Sequence, residues 1–170
     1  CGENPVARVD SPSFRERTIA ILAPEEIGSL RTVVEAPEFR DCAPAVWVML
    51  YAGIRPGEVV RLHWRDVDLE ERVISVRSRT SKTGGIRHVT IHAVLWRLLA
   101  GYGAGGPAGL LCPPNWPVRW RLLRKKAGWG LHNRFGEWSA DALRHTYASY
   151  HAKWFRDFSL LQLEMGHRSS

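Results

Sequence analysis

The stretch CAPAVWVMLYAGIRPGE, residues 42–58, constrains this chain more than any other. Phe39, Cys42, Ala43, Val46 and Leu50 fall on one helical stripe, and Trp47, Val48 and Met49 widen it until the predicted helix is apolar on most sides. Such a helix must be covered by other elements, so it belongs at the centre of a globule. Gly53 stops it as a C-cap residue. Pro56 opens a short new helix from its first position, and the residue before a proline is pushed into extended backbone. Arg55 is therefore an N-cap residue, and its side chain leaves a rigid corner between two helices.

A length of 170 residues suits one domain with a real core. No apolar run approaches the roughly 20 residues of a membrane span, and no signal-peptide pattern is visible. Lys and Arg outnumber Asp and Glu by 24 to 17, a net charge of +7, which points to a polyanionic partner with nucleic acid first. A merely basic soluble protein is the bland alternative. The cysteines Cys1, Cys42 and Cys112 form no CxxC pair, which argues against a disulfide framework or a zinc site and fits a reducing cytoplasm.

Residues 1–23 carry prolines and charges without a clear period and read as a linker or arm; residues 24–170 read as the domain. Pro24 opens a helix over PEEIGSLRTVVEA with its acids in the first turn. RVISVRS and RHVTI are β-branched runs flanking Gly84-Gly85, a hairpin pattern. AVLWRLLAG is a further helix. A Gly/Pro-rich loop follows, with room for a short strand at LLC, and then a basic helix, VRWRLLRKKAG. Ser139 is a good N-cap for ADALRHTYASYHAK, where Leu143, Tyr147, Tyr150 and Trp154 keep helical spacing. Asp157 caps a last helix, FSLLQLEM, ended by Gly166. The predicted fold class is α+β, mainly helical, with a small antiparallel sheet.

Four segments present cations from fixed corners: GIRPGE (Arg55), TSKTGGIR (Lys82), DALRHT (Arg144) and MGHRS (His167). Singly each has an ordinary explanation: Arg55 pairing with Glu58, Lys82 as a solvated hairpin charge, Arg144 pairing with Asp141, and His167 facing a helix dipole. In this order, with RLHWRDVDLE after the first arginine and Arg87 and Ile91 after the lysine hairpin, they resemble the tyrosine recombinases, the phage-integrase group. The resemblance runs from about Asn4 to the last residue and concerns the catalytic domain.

It implies site-specific DNA recombination by strand breakage and rejoining through a 3′-phosphotyrosyl link, in a homotetramer on double-stranded DNA. A prophage or mobile element in a bacterial cytoplasm is the implied setting. Arg55 and Arg144 would clamp the phosphate, Lys82 would protonate the leaving oxygen, and His167 would donate to the phosphate. No metal or other cofactor is needed, because arginines neutralise the charge. His145 is a possible helper. Asp141 departs from the pattern, standing where the family has a histidine, either as a proton acceptor or as a structural residue near a helix start. The nucleophilic tyrosine of the family lies a short way beyond the Gly-His, and this sequence is expected to stop before it; Tyr51, Tyr147 and Tyr150 read as core residues. Three rivals stand beside this reading: a catalytically silent DNA-binding relative, a type IB topoisomerase-like enzyme, and an unrelated basic domain.

The remaining clusters are weaker. Asp66, Asp68, Glu70 and Glu71 read as a turn and not as a metal-dependent nuclease site. His88 and His92 straddle a strand end and make a poor zinc pair. Arg119, Arg121, Arg124, Lys125 and Lys126 make a basic helix end, by default a solvated face and otherwise a set of DNA-backbone contacts that supply affinity without sequence reading.

Overall fold

The computed structural model describes residues 19–77, 85–102, 109–129 and 139–166. Helix α1 (Pro24–Glu35) begins where Pro24 fixes φ and the Glu26 carboxylate turns back to accept the Ala23 amide at 2.8 Å. The apolar segment after it is not one helix from Phe39 onward. Pro37–Cys42 is a 3-10 helix, and α2 (Ala43–Tyr51) follows. Pro44 is the cause: it has no N–H for an intrahelical bond and fits only the first turn of a new helix. All residues of α2 from Ala43 to Leu50 are buried, and the helix packs on α4 (Ala93–Ala100) and α6 (Ala142–Phe155). This is the central position its composition demanded.

The chain turns at Gly53 and enters α3 (Pro56–Val59). Strands β1 (Val67–Asp68), β2 (Val73–Arg77) and β3 (Ile86–Thr90) form an antiparallel sheet in the order β1-β2-β3, with Ile74 opposite Val89 and Arg77 opposite Ile86. Ile74, Val76 and Val89 point into the core, and Arg87, opposite Val76, shares their side. The LLC segment does not become a strand. Leu110 makes one bridge with His63, and the Leu111 amide donates to the Leu62 carbonyl at 2.7 Å. Pro113 and Pro114 have no N–H with which to extend the pairing.

Helix α5 (Trp116–Lys126) packs on α1 and on the 3-10 helix. Helix α6 starts two residues later than the sequence suggested. Asp141, not Ser139, is its N-cap residue, because Ser139 uses its carbonyl to accept the Ala142 amide at 3.1 Å in a preceding turn. Leu143 and Tyr147 are buried as their spacing requires, whereas Trp154 is 74% exposed. Residues 153–155, at the end of α6, are all exposed. Helix α7 (Phe158–Met165) is capped by Asp157, whose Oδ1 accepts the Leu160 amide at 2.9 Å, and ends at Gly166 with φ +64°.

The end of the expected arm is part of the domain. Ala20 and Leu22 are buried, the Leu22 amide donates to Thr146 Oγ1 at 2.9 Å, and its carbonyl accepts the Tyr150 hydroxyl at 3.3 Å. The result is the mainly helical α+β fold with a small antiparallel sheet.

Candidate phosphate site

The corner after α2 is built to hold Arg55 still. Gly53 has φ +60°, and a Cβ at that position would lie 2.5 Å from Tyr147 Cδ1 and 3.0 Å from Met165 Sδ. Only glycine fits where the corner is pressed between α6 and α7. Arg55 follows in extended conformation, φ −67° and ψ 146°, as the pre-proline position dictates. The Glu58 carboxylate then turns back to accept the Arg55 amide at 2.9 Å and meets the Arg55 guanidinium at 3.4 Å.

Glu58 has a second, stronger partner. Arg87 Nη1 and Nη2 each donate to one of its oxygens at 2.7 Å, and Arg87 Nε donates to the Glu164 carbonyl at 2.8 Å. Burial pushes the Glu58 carboxyl up, but the bonds from Arg87 and the Arg55 amide, with the charges of both arginines, outweigh it and hold the group at about 2.

Arg144, in the first turn of α6, is 4% exposed. Its Nη1 donates to the Gly53 carbonyl, and its Nη2 to the Met165 carbonyl at 2.6 Å. These carbonyls lie at or just past the C-terminal ends of α2 and α7, where the helix dipoles are negative. Two of the five guanidinium N–H donors are used in these bonds. Burial, then the nearby charges of Arg55 and Arg87, lower Arg144 to about 10, so it stays cationic at neutral pH. The expected pairing of Arg144 with Asp141 gives way to these carbonyl bonds. Asp141 stands at the N-cap of α6, one residue before the helix, and its charge favours the cationic form of Arg144. His145 is half-buried one residue beyond Arg144.

Arg55 and Arg144 thus share one corner, joined there by Arg87. Lys82 and His167 lie outside the described residues. The basic helix end is partly committed within the fold: Arg119 donates to Asp41 at 2.5 Å and to the Glu38 carbonyl at 2.6 Å, and Lys126 pairs with Glu38. Arg124 lies over the Trp120 ring, while Arg121 and Lys125 are exposed. The acids of the Asp-x-Asp stretch do turn duty. Asp66 accepts the His63 amide at 3.0 Å, and Asp68 accepts the amides of Glu70 and Glu71 at 3.0 and 2.8 Å.

Sequence reasoning matched Arg87 to a strand but gave it no charge role. The available signal was its parity: in IRHVT it falls on the same face as Val89, so a cation pointed inward and required an acid. Glu58 carried a signal too, an acid three residues after an N-cap.

A mainly helical domain with a three-stranded sheet and arginines gathered at a helix–helix corner is the catalytic-domain fold of tyrosine recombinases, as similar solved structures show. XerA recombinase is 25% identical with a TM-score of 0.66, the match covering 88% of this chain and 57% of that one. The catalytic domain of bacteriophage HP1 integrase is 20% identical with a TM-score of 0.68, covering 89% and 83%. The Tn1549 transposon integrase, in complex with a circular intermediate DNA, is 19% identical with a TM-score of 0.66, covering 98% and 63%. The chain therefore spans less than two thirds of the length of XerA recombinase and of the Tn1549 integrase. No curated protein matches it. Residues 21–102 match the model of the phage integrase family. The family match over residues 21–102 and the tyrosine recombinase catalytic-domain fold of the similar structures agree with each other.

Proposed function

We propose that this chain supplies the phosphate-binding part of a DNA strand-exchange site, in a protein that performs site-specific recombination through a 3′-phosphotyrosyl intermediate. The observation that carries the reading is the gathering of Arg55 and the buried, carbonyl-anchored Arg144 at one corner. In-line attack on a phosphodiester builds charge on its non-bridging oxygens. Two preorganised guanidinium groups neutralise that charge, and each such donor is worth a few kcal/mol. Glu58 and Arg87 act as positioning residues for Arg55. Lys82, between β2 and β3 in sequence, is the general acid for the leaving 5′-oxygen. His167, directly after Gly166, is a further phosphate donor.

None of the chain's four tyrosines suits the role of nucleophile. The Tyr147 hydroxyl donates to Glu164 at 2.9 Å, that of Tyr150 to the Leu22 carbonyl at 3.3 Å, and that of Tyr102 to the Arg40 carbonyl at 3.0 Å. Tyr51 packs against the core, where burial raises its hydroxyl above the usual range. On this reading the attacking tyrosine comes from a segment other than residues 1–170. The partner is duplex DNA, the working form a homotetramer, and the setting a mobile element in a bacterial cell.

A second reading, a DNA-binding relative without strand activity, is favoured by Asp141, an acid within electrostatic reach of Arg144 where the family pattern has a histidine. The full-length protein on a nicked suicide duplex separates the readings. A trapped covalent adduct, abolished by Arg55→Ala or Arg144→Ala, is expected. Tight DNA binding with no adduct under any condition would establish the silent relative. Site-independent relaxation of supercoiled plasmid would point to a topoisomerase.

A further inference from the structure

Around Glu164, the residue before Met165, three side chains share two unresolved chemical problems. His92 is the N-cap residue of α4, and its Nε2 is buried without a hydrogen-bond partner. His151, on α6, is 3% exposed, and neither Nδ1 nor Nε2 has a partner. Glu164, on α7, is 2% exposed. Its carboxylate accepts the Tyr147 hydroxyl at 2.9 Å and the Thr90 amide at 3.0 Å, and no cationic side chain among the described residues pairs with it. One ring nitrogen from each histidine and one Glu164 oxygen all lie within 4.8 Å of one another.

An imidazole with both nitrogens buried and unpaired forfeits about 1–3 kcal/mol for each unsatisfied group. A buried carboxylate without a cation is costlier still. A water molecule could answer the nitrogens but not the charge. A divalent cation answers both, taking an electron pair from each imidazole and neutralising the carboxylate. A cavity of about 430 Å³, lined by His92, His151, Tyr147 and Phe155 among others, adjoins the histidines and gives an entry path with room for a water ligand.

We propose that His92, His151 and Glu164 form a zinc-type divalent transition-metal site, with three protein ligands and a fourth position open to the cavity. Two nitrogens and one carboxylate oxygen suit zinc and its neighbours, not calcium or magnesium. Bonds of roughly 2.0–2.1 Å to nitrogen place tetrahedral ligands roughly 3.4 Å apart, so the three side chains close up on binding. His92 is the half-buried member of the three. The His88–His92 pair weighed in the sequence is not the site. His88 is exposed and lies 3.2 Å from Ser75 Oγ. The metal would fasten α7 to α6 and to the start of α4. Through the Glu164 and Met165 carbonyls it would steady Arg87 and Arg144.

The chain itself provides the test. After chelator treatment it is titrated with Co²⁺, followed by visible absorption, and then with Zn²⁺, followed by calorimetry and thermal melting. One equivalent of Co²⁺ should develop the intense ligand-field bands of a tetrahedral N/O site, bleached by one equivalent of Zn²⁺, and Zn²⁺ should raise Tm. His92→Ala and Glu164→Gln should each weaken binding by more than about tenfold and cancel the Tm shift, while His88→Ala leaves both intact. Circular dichroism checks that the variants fold; Glu164→Gln keeps the side chain's shape and an acceptor for the Thr90 amide. No stoichiometric binding, or binding unchanged in His92→Ala and Glu164→Gln, would overturn the proposal and leave the histidines to water. A loss in His88→Ala equal to that in the other two would overturn it as well.

Discussion

Arg87 reaches from β3 to grip both oxygens of Glu58 at 2.7 Å, so the sheet and the helix–helix corner that carries Arg55 are joined by one two-pronged ion pair. The pair is largely shielded, with side-chain exposures of 14% and 13%, and the same acid caps Arg55.

Removing the charge from Glu58 leaves Arg87 buried and uncompensated, which commonly costs about 3–5 kcal/mol. Glu58→Gln is expected to lose about that much stability at pH 7 in urea denaturation. The folded carboxyl sits at about 2 against an ordinary 4.5. Its stabilisation is therefore present above pH 4.5 and is lost as pH falls from there through about 2, amounting to about 3 kcal/mol. The gap between wild type and Glu58→Gln should shrink across that window. A constant gap from pH 7 to pH 2 would contradict the ion-pair account.

Arg144→Lys keeps a positive charge but cannot reach two carbonyls with a planar fork. Each charged hydrogen bond contributes about 1.5–3 kcal/mol. The variant should unfold about 2–4 kcal/mol more easily, and in the full-length protein it should form no covalent DNA adduct. A Lys variant of unchanged stability would show that the bonds to Gly53 and Met165 contribute little.

Gly53→Ala meets two obstacles, a φ of +60° and a Cβ 2.5 Å from the Tyr147 ring. The left-handed backbone costs about 1–2 kcal/mol and overpacking about 1–3 more. A clear drop in Tm is expected, together with weaker DNA binding because the Arg55 corner shifts. Gly57→Ala, where nothing lies within 4 Å of the added carbon, is the control and should melt close to wild type.

With a net charge of +7, the chain should bind duplex DNA in a salt-dependent manner with little sequence preference. Each neutralised phosphate contributes roughly −0.9 to the slope of log K against log salt. Arg55→Ala should flatten that slope by about one contact in fluorescence anisotropy, whereas Arg119→Ala, already paired with Asp41, should change it less. An equal effect of both would argue against the corner as a phosphate contact.

The parts of this molecule that were legible in its sequence are those whose causes are local. Pro56 and Gly53 dictate the corner and the extended Arg55; Asp157 and Gly166 bound α7; apolar composition forces α2 inside. Ser139 misled because Ser139 and Asp141, two residues apart, are both good caps by residue type, and the choice depends on a turn made before the helix. Pro44 broke a stripe that periodicity alone carried straight through. The partners of the site were harder to read. Arg87 and Glu58 are 29 residues apart, and their meeting depends on the strand register. Glu164 hid inside LLQLEM as the one charged letter of a largely apolar helix. Arg144's acceptors are peptide carbonyls, which no side-chain letter encodes.

That last point bears on how such a site survives divergence. Because Arg144 is held by the main chain at Gly53 and Met165, exchanging the side chains around it leaves its acceptors in place, provided the two helices still end where they do. The arginine's orientation is thus written in a path of backbone. The chain is only a fifth to a quarter identical to XerA recombinase and HP1 integrase and shares their fold, and in it the ends of α2 and α7 set the direction of this guanidinium.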